Sequence, residues 1–124
     1  MSLRLFAALL LLTLANPASA SSAPATYAVP WAVASEVLTY KSCGCADSCW
    51  VAELRERKSK KLKARLRCDC SSLLGRYPAQ SSERTLQESC SDINQQDDKM
   101  GAVSQAMKRL VGGEPAAAAG IPAR

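Results

Sequence analysis

Two apolar rhythms run along this chain. From Ser82 it reads SERTLQESCSDINQQDDKMGAVSQAMKRLVGG, and Leu86, Cys90, Ile93, Met100, Val103, Met107, Leu110 and Val111 recur at intervals of mostly three or four. That spacing predicts one helix over 82–111. Glu83 and Glu88 fall early, Lys108 and Arg109 late, and Gly112 just beyond. These signals suit the helix dipole and a C-terminal stop. Gly101 is a weak point inside the span, because glycine is a poor helix former.

Upstream, DSCWVAELRERKSKKLKARLRCDCSSLLG is dominated by Ala, Leu, Glu, Lys and Arg, all good helix formers. Trp50, Val51, Leu54, Leu62, Leu66, Cys70 and Leu73 fall on one helical stripe. Asp47 or Ser48 supplies a cap, Gly75 an end and Pro78 a stop. The expectation is a mostly α fold: a small disulfide-stapled helical hairpin of 47–74 and 82–111, with a break near Ser59. A turn centred between Pro78 and Ala79 sets Trp50 against Met107, Leu54 against Val103, Lys60 against Asp97, Arg65 against Asp92 and Cys68 beside Cys90.

A second rhythm competes. KLKARLRCDC, at 61–70, alternates strictly, and EVLTYKSCGC, at 36–45, is rich in strand formers. Short amphipathic windows fit either period. The alternative is a small α+β fold with a two-stranded ribbon pairing 36–45 with 61–70.

The ends of the chain set its compartment. Residues 1–20 read MSLRLFAALLLLTLANPASA: one early arginine, an apolar run, Pro17, then the small residues Ala18, Ser19 and Ala20. This is the layout of a secretory signal peptide cleaved near Ala20. The run is shorter than the ~20 apolar residues a spanning helix needs, and the mature chain offers no transmembrane segment. Residues 21–30, rich in Ser, Ala and Pro, and 112–124, rich in Gly, Pro and Ala, read as flexible ends. Between them, 31–111 forms one small disulfide-rich domain, secreted or periplasmic. So short a chain buries little apolar surface and usually needs covalent staples. Cys43, Cys45, Cys49, Cys68, Cys70 and Cys90 are six in number, and in an oxidising compartment they read as disulfides.

Their spacing creates a difficulty for a straight first helix. Cys49 and Cys68 would lie roughly 28 Å apart along it. Cys43, Cys45 and Cys49 then form one group of three, and Cys68, Cys70 and Cys90 another, with a sulfur left over in each. A break near Ser59 lets the groups meet. In the ribbon alternative CGC pairs with CDC and Cys49 joins Cys90. Links between two chains, free thiols or a metal are the remaining outlets.

Composition then narrows the chemistry. The chain has no histidine, which removes Ser-His and Cys-His nucleophile pairs. No Gly-rich phosphate loop is present, and the Glu53, Glu56, Asp97 and Asp98 carboxylates fall on solvated faces of the expected helices. No enzyme activity, cofactor or resident metal is expected. The net charge is +5, and the run RERKSKKLKARLR at 55–67 holds eight of the 16 basic residues and a single acid. No aromatic residue lies within it to stack on bases, which argues against nucleic acid.

The expected function is therefore that of a non-enzymatic secreted or periplasmic interaction protein: an inhibitor, effector or accessory subunit. It presents Arg55, Arg57, Lys58, Lys60, Lys61 and Lys63 on a basic helix face to an acidic protein or anionic surface. The alternative is a thiolate metal carrier or sensor built on the Cys-x-Cys pairs Cys43, Cys45, Cys68 and Cys70.

Overall fold

The computed structural model of the chain describes residues 25–113. The signal peptide expected at 1–20, and the tail expected at 112–124 from residue 114 onward, lie outside them. Six strands follow one another as an antiparallel meander: β1 (Thr26–Val29), β2 (Glu36–Gly44), β3 (Cys49–Glu56), β4 (Leu62–Asp69), β5 (Ser72–Arg76) and β6 (Arg84–Ser89). A short helix α1 (Cys90–Asn94) and a longer helix α2 (Lys99–Gly112) follow β6 among the described residues.

The mostly α hairpin expected from the sequence is overturned. Its first helix is replaced by β3, β4 and β5. Burial alternates along β3, where Trp50, Ala52 and Leu54 are enclosed, and along β4, where Ala64, Leu66 and Cys68 are. Ala52 and Ala64 lay off the helical stripe, yet both are fully buried. Small side chains at these sites let other groups pack close against the sheet. The break expected near Ser59 falls in the β3–β4 turn, which closes with Glu56 N donating to Lys61 O at 2.9 Å. The ribbon alternative also fails in its pairing: 36–45 and 61–70 do carry strands, but β3 lies between them. β1 lies within 21–30, the segment expected to be flexible, and pairs with β2 from Thr26↔Lys41 to Val29↔Leu38.

The second expected helix survives in part. Its first half is β6 and α1, and only Lys99–Gly112 is the long helix. Two caps divide it. Ser89 and Asp92 form a capping box at α1, each side chain bonding the other residue's backbone N–H. Asp98 caps α2 by accepting from Gly101 N at 2.9 Å. Gly101 is therefore part of a helix start. A Cβ there would come within 2.1 Å of the Asp98 carboxylate.

The core lies between one sheet face and the helices. Val29, Leu38, Tyr40, Trp50, Leu54, Leu66 and Leu73 meet Ile93, Val103, Ala106, Met107 and Leu110 in one cluster. Gly75, next to last in β5, lets Leu86 and Leu110 close over the strand: a Cβ would sit 3.0 Å from Leu86 and 3.1 Å from Leu110. The indole of Trp50 is fully enclosed, and its Nε1 donates to Asn94 Oδ1 at 2.8 Å. Ser104 of α2 donates to Pro30 O at 2.7 Å. Among the described residues no helix is long and apolar enough to cross a membrane.

Replacing Ala64 by Leu is expected to destabilise the protein by about 1–3 kcal/mol in urea unfolding, because it overpacks the sheet–helix layer. A position on a solvated helix face would accept the same change within about 0.5 kcal/mol.

Candidate functional site

In a meander, alternate turns fall at opposite ends of the sheet. The β2–β3 and β4–β5 turns and the end of β6 share one end, and the β1–β2, β3–β4 and β5–β6 turns share the other. This places all six cysteines at one end and the basic β3–β4 tip at the opposite end.

At the basic end, the six residues expected to dock a partner divide into two sets. Arg55, Arg57 and Lys63 are engaged within the fold. Arg55 donates to Glu53 Oε2 at 2.6 and 3.0 Å and to Lys60 O at 3.0 Å. Arg57 reaches back to the β1–β2 turn, donating from Nε to Ala34 O at 3.0 Å and from its backbone to Ser35 O at 2.8 Å. Lys63 lies where the β3–β4 register slips between Leu54 and Arg55, and it pairs with Glu36. A bulge of this kind re-aims a side chain. Lys58, Lys60 and Lys61 are exposed, and among the described residues they make no ion pair. They sit on a turn, so the expected basic helix face is corrected to a basic hairpin tip.

Glu36 anchors this end. Its carboxylate accepts from Trp31 Nε1 at 2.7 Å as well as from Lys63. The Lys63 hydrogen bond, foremost, holds the carboxyl below its ordinary range, against the opposing effect of burial.

The sheet face away from the helices carries a row that sequence reasoning did not single out. Thr39, Glu53, Arg65 and Arg76 stand opposite one another across β2 to β5. Arg65 and Arg76 are direct neighbours, a like-charge pair that costs stability. Glu53 Oε1 lies 3.8 Å from Arg65 Nε, and Arg67 pairs with Glu83 at 2.6 Å. The Nε atoms of Arg65 and Arg76 are enclosed without a hydrogen-bond partner among the described residues. A groove of about 570 Å³ runs beside Arg65, lined by Thr39, Lys41, Val51 and Glu53 among others. The strict alternation of 61–70 was the available signal, since it sends Lys63, Arg65 and Arg67 to one side of a strand and the apolar residues to the other.

At the cysteine end, Cys43–Cys49 and Cys68–Cys90 are disulfides. Cys45 and Cys70 are free and exposed. The expected neighbours Cys68 and Cys90 are thus bonded, although by strand β4 and the start of α1 rather than by two helices. Arg65 and Asp92, expected to face each other, are not paired. The metal-carrier set of Cys43, Cys45, Cys68 and Cys70 has two of its four sulfurs committed to bridges. Among the described residues no group of three or more Cys, Asp or Glu is arranged to hold a metal ion.

The β2–β3 turn has an unusual backbone: Cys45, Ala46 and Asp47 have φ of 53°, 50° and 66°. Such conformations persist only when their surroundings fix them. Here Asp47 does so. It accepts from Tyr40 Oη at 2.5 Å and from Lys99 Nζ at 3.0 Å, and Lys99 also donates to the Asp47 carbonyl at 2.6 Å. Burial pushes the Asp47 carboxyl up, but the Tyr40, Lys99 and Ser42 hydrogen bonds outweigh it and hold the pKa low.

Searches of protein-family models, curated proteins and solved structures find no match to this chain.

Glu36→Gln is expected to lower stability at neutral pH by about 1–3 kcal/mol, the range for a charge-assisted hydrogen bond. Folding depresses this pKa, so the wild-type advantage is full above the unfolded value near 4.5 and fades as pH falls through the folded value. Urea unfolding of both proteins from pH 7 to pH 3 should show the two curves converging.

Proposed function

We propose that this chain is a non-enzymatic exported interaction protein, secreted or periplasmic, that docks an acidic protein through the β3–β4 hairpin tip. The observation that carries this reading is the set Lys58, Lys60 and Lys61: exposed, without ion-pair partners among the described residues, and held on a braced turn. Arg57 supports the reading by tying that turn to the β1–β2 connection, and Lys63 by joining the start of β4 to the start of β2 beside it. A fixed tip loses less entropy on binding than a mobile loop. Clustered like charge also speeds encounter with a partner of opposite sign. The absence of histidine from the sequence and the pairing of Glu53 with arginines favour a binding role over catalysis.

A second docking surface is favoured by Arg65 and Arg76, which stand opposite each other on the open sheet face. Neighbouring arginines suit a carboxylate laid across that face.

The test compares the full chain with Lys58→Glu/Lys60→Glu/Lys61→Glu on immobilised poly-glutamate, a surrogate for an acidic protein surface. A control carries the same charge change through Arg84→Glu/Gln95→Glu/Gln105→Glu/Lys108→Glu, all at exposed positions. The tip variant should lose at least about tenfold in affinity and the control much less, with wild-type binding weakening as salt rises. Equal loss in both variants would reduce the effect to net charge and end the hairpin-tip reading. Loss confined to Arg65→Gln/Arg76→Gln would move the site to the open face.

A further inference from the structure

Cys45 and Cys70 are 25 positions apart in sequence, yet the sheet brings them together. β3 and β4 pair with Cys49 opposite Asp69. The β2–β3 turn that holds Cys45 therefore stands beside the β4–β5 turn that holds Cys70. The Cys45 side chain is the leading influence on the Cys70 thiol, and both thiols are exposed.

Neither thiol swings on a loose loop. Cys45 lies inside the loop closed by Cys43–Cys49, whose sequence separation is 6, and Ser48 N donates to its carbonyl at 3.0 Å. Cys70 opens a two-residue turn with φ of 79°, the positive angle that tight hairpins demand. Asp69 Oδ1 fixes that turn by accepting from Ser72 N at 2.7 Å and Ser71 N at 3.2 Å.

The third sulfur pair differs in its surroundings. Cys68 and Cys90 are both 0% exposed and join the sheet to α1 within the core. A disulfide exchanges by in-line attack of a thiolate on sulfur, so access separates a reactive pair from an inert one.

We propose that Cys45 and Cys70 are a reversible dithiol–disulfide couple that exchanges with external disulfides and thiols, while Cys68–Cys90 stays closed. In the forward direction a Cys45 thiolate attacks one sulfur of an external disulfide RSSR. The Cys45–SR bond forms and RS⁻ leaves. Cys70, deprotonated, then attacks the Cys45 sulfur; the Cys45–Cys70 bond forms and a second RS⁻ leaves. The two cysteines lose two protons and two electrons, and RSSR becomes two RSH. The Cys45 side chain, foremost, pushes the Cys70 thiol up to about 11, and the balance is the same whichever thiolate attacks first. Reduction by an external thiol runs the same steps backwards. Closure ties the β2–β3 turn to the β4–β5 turn. The couple is independent of the docking tip at the opposite end of the sheet.

The experiment incubates the full chain with oxidised glutathione, then titrates it with dithiothreitol, traps free thiols with N-ethylmaleimide and maps the peptides. Oxidation should remove two hydrogens and produce a Cys45–Cys70 peptide pair. On titration Cys45 and Cys70 should be trapped at a reductant concentration at least about tenfold below that which exposes Cys68 and Cys90, with the circular dichroism spectrum unchanged at that point. Cys45→Ser should leave Cys70 able to hold only one glutathione, and Cys70→Ser the reverse, so that one folded variant is enough. The proposal is overturned by a map that joins Cys45 or Cys70 to any other cysteine. It is equally overturned if both remain unbridged after oxidation, or if their bridge opens only together with Cys68–Cys90.

Discussion

A meander of six strands has two faces, and in this chain one helix and a helical turn must keep one of them dry. The junction that fixes this cover is small: Trp50 enclosed in the core, its indole N–H on Asn94, and the Cys68–Cys90 bridge beside it. The bridge closes a 22-residue separation, worth on the order of 3 kcal/mol by chain-entropy reasoning. It also sets where α1 begins, since Cys90 is the first residue of that helix. α2 can then lie over β4 and β1, with Ser104 reaching Pro30 from above. Without this junction the apolar side of β3 and β4 would face water.

The other face bears the cost of being exposed and basic. Arg65 and Arg76 oppose each other, and among the described residues the ion pairs of Arg55, Arg65 and Arg67 are made by Glu53 and Glu83. A face built for stability alone would alternate signs across the strands. The retained imbalance is what an anionic partner would relieve.

How much of this was legible in the sequence depends on the element. Lys99–Gly112 was visible in its three- and four-residue repeat, and the strand character of 61–70 in its alternation. β3 was not, because Trp50 and Leu54 satisfy both periods and its Ala, Leu, Glu and Arg residues favour helix locally. Burial of Ala52 under a covering layer decided against that preference, a tertiary effect no window displays. β6 was absorbed into the helix because Leu86 and Cys90 happen to be four apart. The signals that should have divided that span were present: Ser89 three before Asp92, and Asp98 three before Gly101, both helix starts. The sulfur puzzle had the same origin. Two groups of three looked separate only while the chain between them was drawn as a rod. Of the basic run, the exposure of Lys58, Lys60 and Lys61 follows from charge alone, but the engagement of Arg55, Arg57 and Lys63 by Glu53, Ala34 and Glu36 depends on the register of neighbouring strands, as does the Arg65–Arg76 pair.

The opposed placement of sulfur and lysine restrains the two margins of the sheet by different means. Covalent links pin the strands where the cysteines gather, whereas hydrogen bonds and the Lys63–Glu36 pair brace the hairpin at the far margin. A reductant would therefore loosen one rim and acid the other, each leaving its opposite in place.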